Sequence, residues 1–247
     1  MLKLWVFSQF LLNSWHFRIL LCKKCCTFAN QRIMMIGRTR TNLRAEIEDQ
    51  YEILSFLVSD ISSHYQEQVD DIEAEVVVYK KSNTNEDYDI VSSELGNYYA
   101  ASEICDSRCI QARQILFCAI FAYYETMLNR IVFSYNITPY NQRDVKSMVD
   151  GICKFFLNKY NFSLEIENIE FANEFCRLLR NYFMHGSLSD DRKRRALYDY
   201  SNRFGGVRCY CGEYYEIVDN SFLVKVLKSV FGILTTLDDE FWGASKE

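Results

Sequence analysis

The spacing of apolar residues predicts a mainly helical chain. Over residues 42–71 apolar side chains recur at alternating intervals of three and four, the heptad-like seam of a long amphipathic helix. A second long helix is predicted over residues 108–133, and its uncharged run 115–124 is typical of a helix buried on most sides. The helical spacing resumes after Pro139, and residues 222–241 predict a last amphipathic helix. The pattern therefore favours an all-α fold.

Two short segments have β-like patterns instead. Residues 75–81 contain the run VVVY, which is typical of a short strand, and the polar residues 82–89 after it predict a loop. Residues 205–218 alternate and turn around Gly212, which predicts a small β-hairpin before the last helix. The hairpin would then be an insertion in a helical bundle.

Residues 171–186, FANEFCRLLRNYFMHG, form the most informative stretch. One stripe at helical spacing is predicted to face the core, and it consists of Ala172, Phe175, Cys176, Leu179 and Phe183. On the same wheel Asn181 and His185 lie together on roughly the opposite side, with Arg180 on the flank between them. Gly186 suits a helix C-terminus, where the left-handed conformation is common. His185 is then in the last turn, where the helix dipole favours a protonated imidazole that can donate a proton.

The trio Arg180, Asn181 and His185 resembles the Arg-x4-6-His signature of the HEPN superfamily (higher eukaryotes and prokaryotes nucleotide-binding domain), in which a polar residue, often Asn, follows the Arg. The run AIFAYYETMLNRIV is similar to the early core helix of that superfamily, and the likeness extends over residues 105–242. Many members are metal-independent endoribonucleases. The resemblance implies an HEPN-like helical bundle, here with a long N-terminal helix.

The chemistry of these side chains fits metal-free RNA cleavage. That reaction deprotonates the 2′-hydroxyl, protonates the leaving 5′-oxygen and builds negative charge on the phosphate. His185 can move protons, Arg180 can balance charge, and Asn181 can bond the substrate or orient the imidazole ring. The site would need no metal and no cofactor.

Other charged residues are candidates for supporting roles. Glu125 is the only charged residue between Gln114 and Asn129, so it either reaches the edge of the bundle or has a buried partner, for which Arg180 is a candidate. Glu174 lies on the same predicted helix face as Asn181 and is a second supporting carboxylate. The run Arg192, Lys193, Arg194 and Arg195, after a predicted cap at Ser189, is either an RNA-binding track or a solvated face.

A single copy of the chain supplies only one such histidine. On the helical wheel Arg180 and His185 also diverge by about 140°. Two copies related by a two-fold axis would bring both groups to one phosphate, and the resemblance implies the same, since HEPN nucleases commonly build the site across a homodimer. The face carrying Glu174, Asn181 and His185 is the predicted contact.

Composition changes this picture little. The 247 residues are 49% hydrophobic with one proline, which indicates a globular protein, and the net charge of −5 restricts RNA binding to a local basic patch. Ten cysteines without a repeating pair pattern favour a reduced, cytoplasmic protein. A zinc site that joins Cys22, Cys25 and Cys26 to Cys209 and Cys211 is disfavoured, because the second pair is C-x-C. Motifs for a P-loop, a dinucleotide site or a serine hydrolase do not occur.

The N-terminal 36 residues differ from the rest. Asn13, His16 and Arg18 interrupt the apolar run, so stable membrane insertion is not expected, and a signal peptide would lack its usual cleavage pattern. We expect residues 1–36 to be an extension outside the fold, and residues 37–247 to form a single domain. A start site at Met34 or Met35 is an alternative explanation of the first 33 residues.

The sequence therefore favours a metal-independent endoribonuclease. The usual settings of the resembled family imply a toxin-antitoxin or antiviral defence effector, with RNA as substrate and a cognate antitoxin as partner. The alternative is a non-catalytic HEPN-like module that binds a nucleotide or a protein.

Overall fold

Helices make up most of the chain that the structure describes. The structure is a computed structural model, and it describes residues 40–82, 88–134 and 166–244. In chain order the elements are α1 (Arg40–Ser82), α2 (Tyr88–Ser134), α3 (Ile166–Glu170), the π-helical segment π1 (Phe171–Cys176), α4 (Arg177–His185), α5 (Asp191–Phe204), β1 (Val207–Tyr210), β2 (Tyr214–Ile217) and α6 (Asn220–Ala244). The prediction of an all-α fold with a small hairpin before the last helix is confirmed.

The predicted strand at residues 75–81 is wrong. These residues are the last two turns of α1, which runs to Ser82 instead of ending near residue 71. Helix propagation is cooperative, so a helix that has already formed can extend through valines in spite of their β-propensity. Tyr79 continues the seam, since its ring packs near that of Tyr98 on α2, with the ring centroids 5.9 Å apart.

The two long helices pair antiparallel. Tyr79 lies opposite Tyr98, the Cys105 thiol donates to the Gln68 amide oxygen at 3.6 Å, and Arg130 pairs with Glu46. None of the described side chains of residues 63–82 and 92–104 is buried, so this part of the helix pair projects beyond the core. We call it the arm.

Several predictions fall on other parts of the chain. The N-terminal extension, the core of the loop at 83–87, the helix after Pro139 and the connection at 158–163 lie outside the described residues. They stay predictions. The described residues all belong to one compact unit, Arg40–Glu247.

Helix α6 is the central element of the core. It begins at Asn220, two residues before the amphipathic pattern over residues 222–241, because the Asp219 carboxylate caps it by accepting from the Ser221 backbone N–H at 2.8 Å. Hydrogen bonds to this charged carboxylate, led by the Ser221 hydroxyl, lower the pKa of Asp219. The helix packs against α1, α2 and the segment before α4.

Within the described residues, one stretch is long and apolar enough to cross a membrane by length and composition. This stretch is Asn220–Glu240, and 56% of its most apolar 18-residue segment is buried inside the fold. Val226 and Leu234 on this helix are completely buried. Core packing therefore accounts for its apolar character.

Candidate active site

The predicted motif lies on one continuous helix. Elements α3, π1 and α4 follow each other without a break from Ile166 to His185, and we call them together the motif helix. The predicted core stripe is confirmed: Ala172, Phe175, Cys176 and Leu179 are buried, and Phe183 is half-buried. Gly186 ends the helix with a φ of 72°, and its N–H donates to the Tyr182 carbonyl at 2.8 Å. This C-terminus confirms the place of His185 in the last turn.

The π-helical segment was not predicted. A wheel drawn at 100° per residue fails across Phe171–Cys176, because a π turn is wider than an α turn. The segment buries Asn173, whose side-chain oxygen accepts a hydrogen bond from the Tyr124 hydroxyl at 3.0 Å. That bond ties the motif helix to α2 inside the core. A helical wheel drawn from the sequence does not predict this hydrogen bond.

Two contacts hold the Arg180 side chain, one to α2 and one to its own helix. One guanidinium nitrogen, Nη2, lies 3.5 Å from Oε2 of Glu125, and the other, Nη1, donates to Oδ1 of Asn181 at 3.0 Å. The side chains of Arg180 and Glu125 are 28% and 27% exposed. The ion pair that the sequence suggested is therefore present, in a position partly shielded from water.

Cys118 is a second residue of α2 that is affected by the charge of Arg180. It lies two turns before Glu125 on α2, and burial raises the pKa of its thiol while the nearby Arg180 charge opposes that rise. The contact with Glu125 places the Arg180 guanidinium against α2. A guanidinium fixed in this way is pre-oriented for an anion at the motif-helix surface.

His185 stands apart from this cluster. It is exposed, and within the described part of the chain it makes no hydrogen bond. Asn181, which the wheel placed beside His185, bonds to Arg180 instead. The structure therefore brings Arg180, Asn181 and Glu125 together and leaves the imidazole available at the helix end.

Glu174 has a different partner from the one that a supporting role would suggest. Its carboxylate pairs with Arg177 at 3.1 Å, and the Nε–H of Arg177 donates to the Asn173 carbonyl at 2.9 Å. Arg177 was missed at the sequence level, although its i, i+3 spacing from Glu174 is a usual ion-pair signal. Glu125 is the carboxylate that reaches Arg180.

The predicted basic run lies on the exposed first turns of α5. The cap is Asp190 and not Ser189, since the Asp190 carboxylate accepts from the Arg192 backbone N–H at 2.9 Å. Arg194 pairs with Asp191, and this hydrogen bond lowers the pKa of the Asp191 carboxyl. Arg192 lies 3.8 Å from Asp190, so the acids of the same helix end offset part of the positive charge.

The hairpin packs beside the end of the motif helix. Its two strands pair antiparallel with Cys209 opposite Tyr215. The Tyr215 backbone N–H donates to the Tyr182 hydroxyl at 3.4 Å, and their rings meet edge to face at 5.0 Å. Tyr182 precedes His185 by less than one turn, so hairpin and histidine occupy the same end of the fold.

Comparisons with family models, with curated proteins and with solved structures find no match for this chain. The HEPN resemblance therefore rests on the motif residues and their setting. Among the described residues no group of three or more His, Cys, Asp or Glu side chains is placed to hold a metal ion. Cys209 is half-buried and Cys211 is exposed, and the other cysteines of the disfavoured zinc site lie outside the described residues.

Proposed function

We propose that this protein is an HEPN-like, metal-independent endoribonuclease. The observation that carries the proposal is the arrangement of the motif: Arg180 is fixed by Glu125 and Asn181, while His185 is exposed at the glycine-terminated end of the same helix. Cleavage through the 2′-hydroxyl requires a fixed cation and an imidazole that is free to exchange protons, and a two-fold related copy would bring the two groups to one phosphate.

The proposed reaction is an in-line transfer at one phosphate. The 2′-oxygen forms a bond to phosphorus as the bond from phosphorus to the 5′-oxygen breaks, which leaves a 2′,3′-cyclic phosphate and a 5′-hydroxyl. His185 gives its proton to the leaving 5′-oxygen, and a second, neutral imidazole takes the proton of the 2′-hydroxyl. Arg180 balances the charge on the phosphate oxygens, and Glu125 keeps its guanidinium in place.

The second imidazole is proposed to come from a second copy of the chain. Met184, next to His185, is a large apolar side chain that is exposed, and Ile115, one turn before Cys118 on α2, is another. Exposed apolar groups beside polar site residues are typical of a contact surface. They support the homodimer along the motif-helix face, on which two Arg180 and two His185 side chains would share one phosphate.

The dimer proposal makes a direct prediction. We expect the full chain to sediment as a dimer at micromolar concentration, and Met184→Asp to shift it towards monomer because a charge would then be buried in the contact. Analytical ultracentrifugation measures this shift. Val224→Asp is the matched control, since Val224 is also exposed but lies on α6. A monomer that cleaves RNA at the full rate contradicts the shared site.

The second candidate is a non-catalytic binding module. The charge of Arg180 is already partly balanced by Glu125, which would suit a module that holds a nucleotide or a partner protein without turnover. The role as a cytoplasmic toxin-antitoxin or antiviral effector, controlled by a cognate antitoxin, belongs to the proposal and is supported by the family resemblance alone.

A further inference from the structure

The hairpin has one buried face and one free face. The register pairs Val207 with Ile217 and Cys209 with Tyr215, and these four side chains point into the fold. The alternate positions are the other two pairs, Arg208 with Glu216 and Tyr210 with Tyr214, and they form the outer face. We call these four residues the hairpin platform.

The platform exposes two aromatic rings side by side. Tyr210 and Tyr214 are 39% and 51% exposed, and their ring centroids lie 6.0 Å apart at an interplanar angle of 42°. The guanidinium of Arg208 lies 5.7 Å from the Tyr210 ring centroid, and its Nη1 donates to the Tyr210 hydroxyl at 2.9 Å. Exposed aromatic rings with an adjacent arginine are the usual stacking surface for unpaired nucleic-acid bases.

The charged side chains around the platform are largely paired with neighbouring groups of the protein. Glu216 accepts from the Tyr210 hydroxyl at 2.8 Å and lies 3.9 Å from Arg208, so its carboxylate is occupied by its neighbours. Glu213 in the turn lies close enough to Arg194 of α5 to contribute to the raised pKa of that guanidinium, after the leading effect of Asp191. Strand β1 also packs against α5. The hairpin therefore lies beside the helix that carries the basic run, whose side chains can contact phosphates near a stacked base.

The platform also lies beside the candidate catalytic end. The backbone N–H of Tyr215, the residue after Tyr214 on β2, donates to the Tyr182 hydroxyl at 3.4 Å. Tyr182 is in the last two turns of the motif helix with His185. The edge of β2, the strand that carries Tyr214, is therefore next to the end of the motif helix.

We propose that the hairpin platform is a binding site for unpaired RNA bases, with Tyr210 and Tyr214 as the stacking surfaces. The inference rests on the proposed nuclease function and adds its substrate class: single-stranded RNA is bound in preference to duplex. Bases in a duplex are stacked on each other and cannot reach the tyrosine rings.

The test measures binding apart from cleavage. The full chain carrying His185→Ala is titrated into a fluorescein-labelled single-stranded RNA of about 12 nucleotides, a length that covers a typical stacking site. Tyr214→Leu and Tyr210→Leu are each expected to raise the Kd by roughly tenfold, since stacking is worth about 1–3 kcal/mol per base. Tyr214→Phe should retain the affinity, because the ring is kept.

The control is Tyr99→Leu. Tyr99 is 56% exposed, close to the 51% of Tyr214, but it lies on the arm, so its loss should leave the Kd unchanged. Leucine variants that bind single-stranded RNA as tightly as the parent overturn the inference, and so does an equal loss of duplex binding. Wild-type protein that binds RNA through the tyrosines but never cleaves it refutes the nuclease proposal alone, whereas cleavage with tyrosine-independent binding refutes the platform alone.

Discussion

His185→Ala is expected to abolish RNA cleavage without changing the stability of the fold. The imidazole is exposed in the last turn of the motif helix and makes no hydrogen bond within the described part of the chain. Its removal should therefore cost little folding free energy. General acid-base groups typically contribute about 10²–10⁴-fold to a rate, and here both imidazoles of a dimer would be lost together. The cleavage rate on labelled RNA and the thermal midpoint are measured side by side.

His64→Ala is the matched control for this change. His64 is also exposed and helical, but it lies on α1 and contacts the Gln68 amide nitrogen through its Nε2 at 3.0 Å. The His64→Ala protein should cleave RNA at the wild-type rate. An His185→Ala protein that is as active as the His64→Ala protein removes His185 from the mechanism and leaves the binding-module alternative.

Phe175→Ala is expected to be the most destabilising single change in the motif helix. The Phe175 ring is completely buried, and four aromatic rings surround it, those of Phe171, Tyr200, Phe204 and Phe222, with centroids between 5.6 and 6.2 Å away. Truncation of a buried phenylalanine to alanine costs about 3–5 kcal/mol through lost burial and the remaining cavity. Urea unfolding gives the loss directly as a shift in the midpoint.

Phe56→Ala controls for the removal of a phenylalanine as such. The Phe56 side chain is exposed on α1, so its loss should change the unfolding free energy by less than about 0.5 kcal/mol. Equal effects of the two substitutions would mean that Phe175 is not in the core. The position of the whole motif helix would then be wrong.

The sequence predicted the elements whose apolar pattern is set by one buried face. The seam of α1, the stripe of the motif helix and the alternation of the hairpin each repeat with the period of their element, so the pattern gives both the structure and the buried side. Gly186 was identifiable because a left-handed residue has few alternatives to glycine. The valine run of α1 was misread, since local β-propensity is weaker than extension of an existing helix.

The candidate site was only partly predictable for a related reason. The contact between Arg180 and Glu125 could be suggested because an isolated charge in an apolar run needs a partner. The hydrogen bond from Arg180 to Asn181 could not be predicted, because neighbouring residues in a helix point about 100° apart on the wheel. The two side chains meet only because the arginine side chain is long. The burial of Asn173 depends on the π turn, and the arrangement of the hairpin platform depends on the strand register.

The RNA ends that the protein leaves when metal ions are removed distinguish metal-independent cleavage from metal-dependent hydrolysis. Purified protein is incubated with a single-stranded RNA in excess EDTA, and the products are analysed by mass spectrometry beside a His185→Ala control. We expect undiminished cleavage to 2′,3′-cyclic phosphate and 5′-hydroxyl ends, because the 2′-hydroxyl is the nucleophile and the proton transfers need only imidazole. Cleavage that stops on chelation, returns with magnesium and leaves 3′-hydroxyl ends would contradict the metal-independent mechanism.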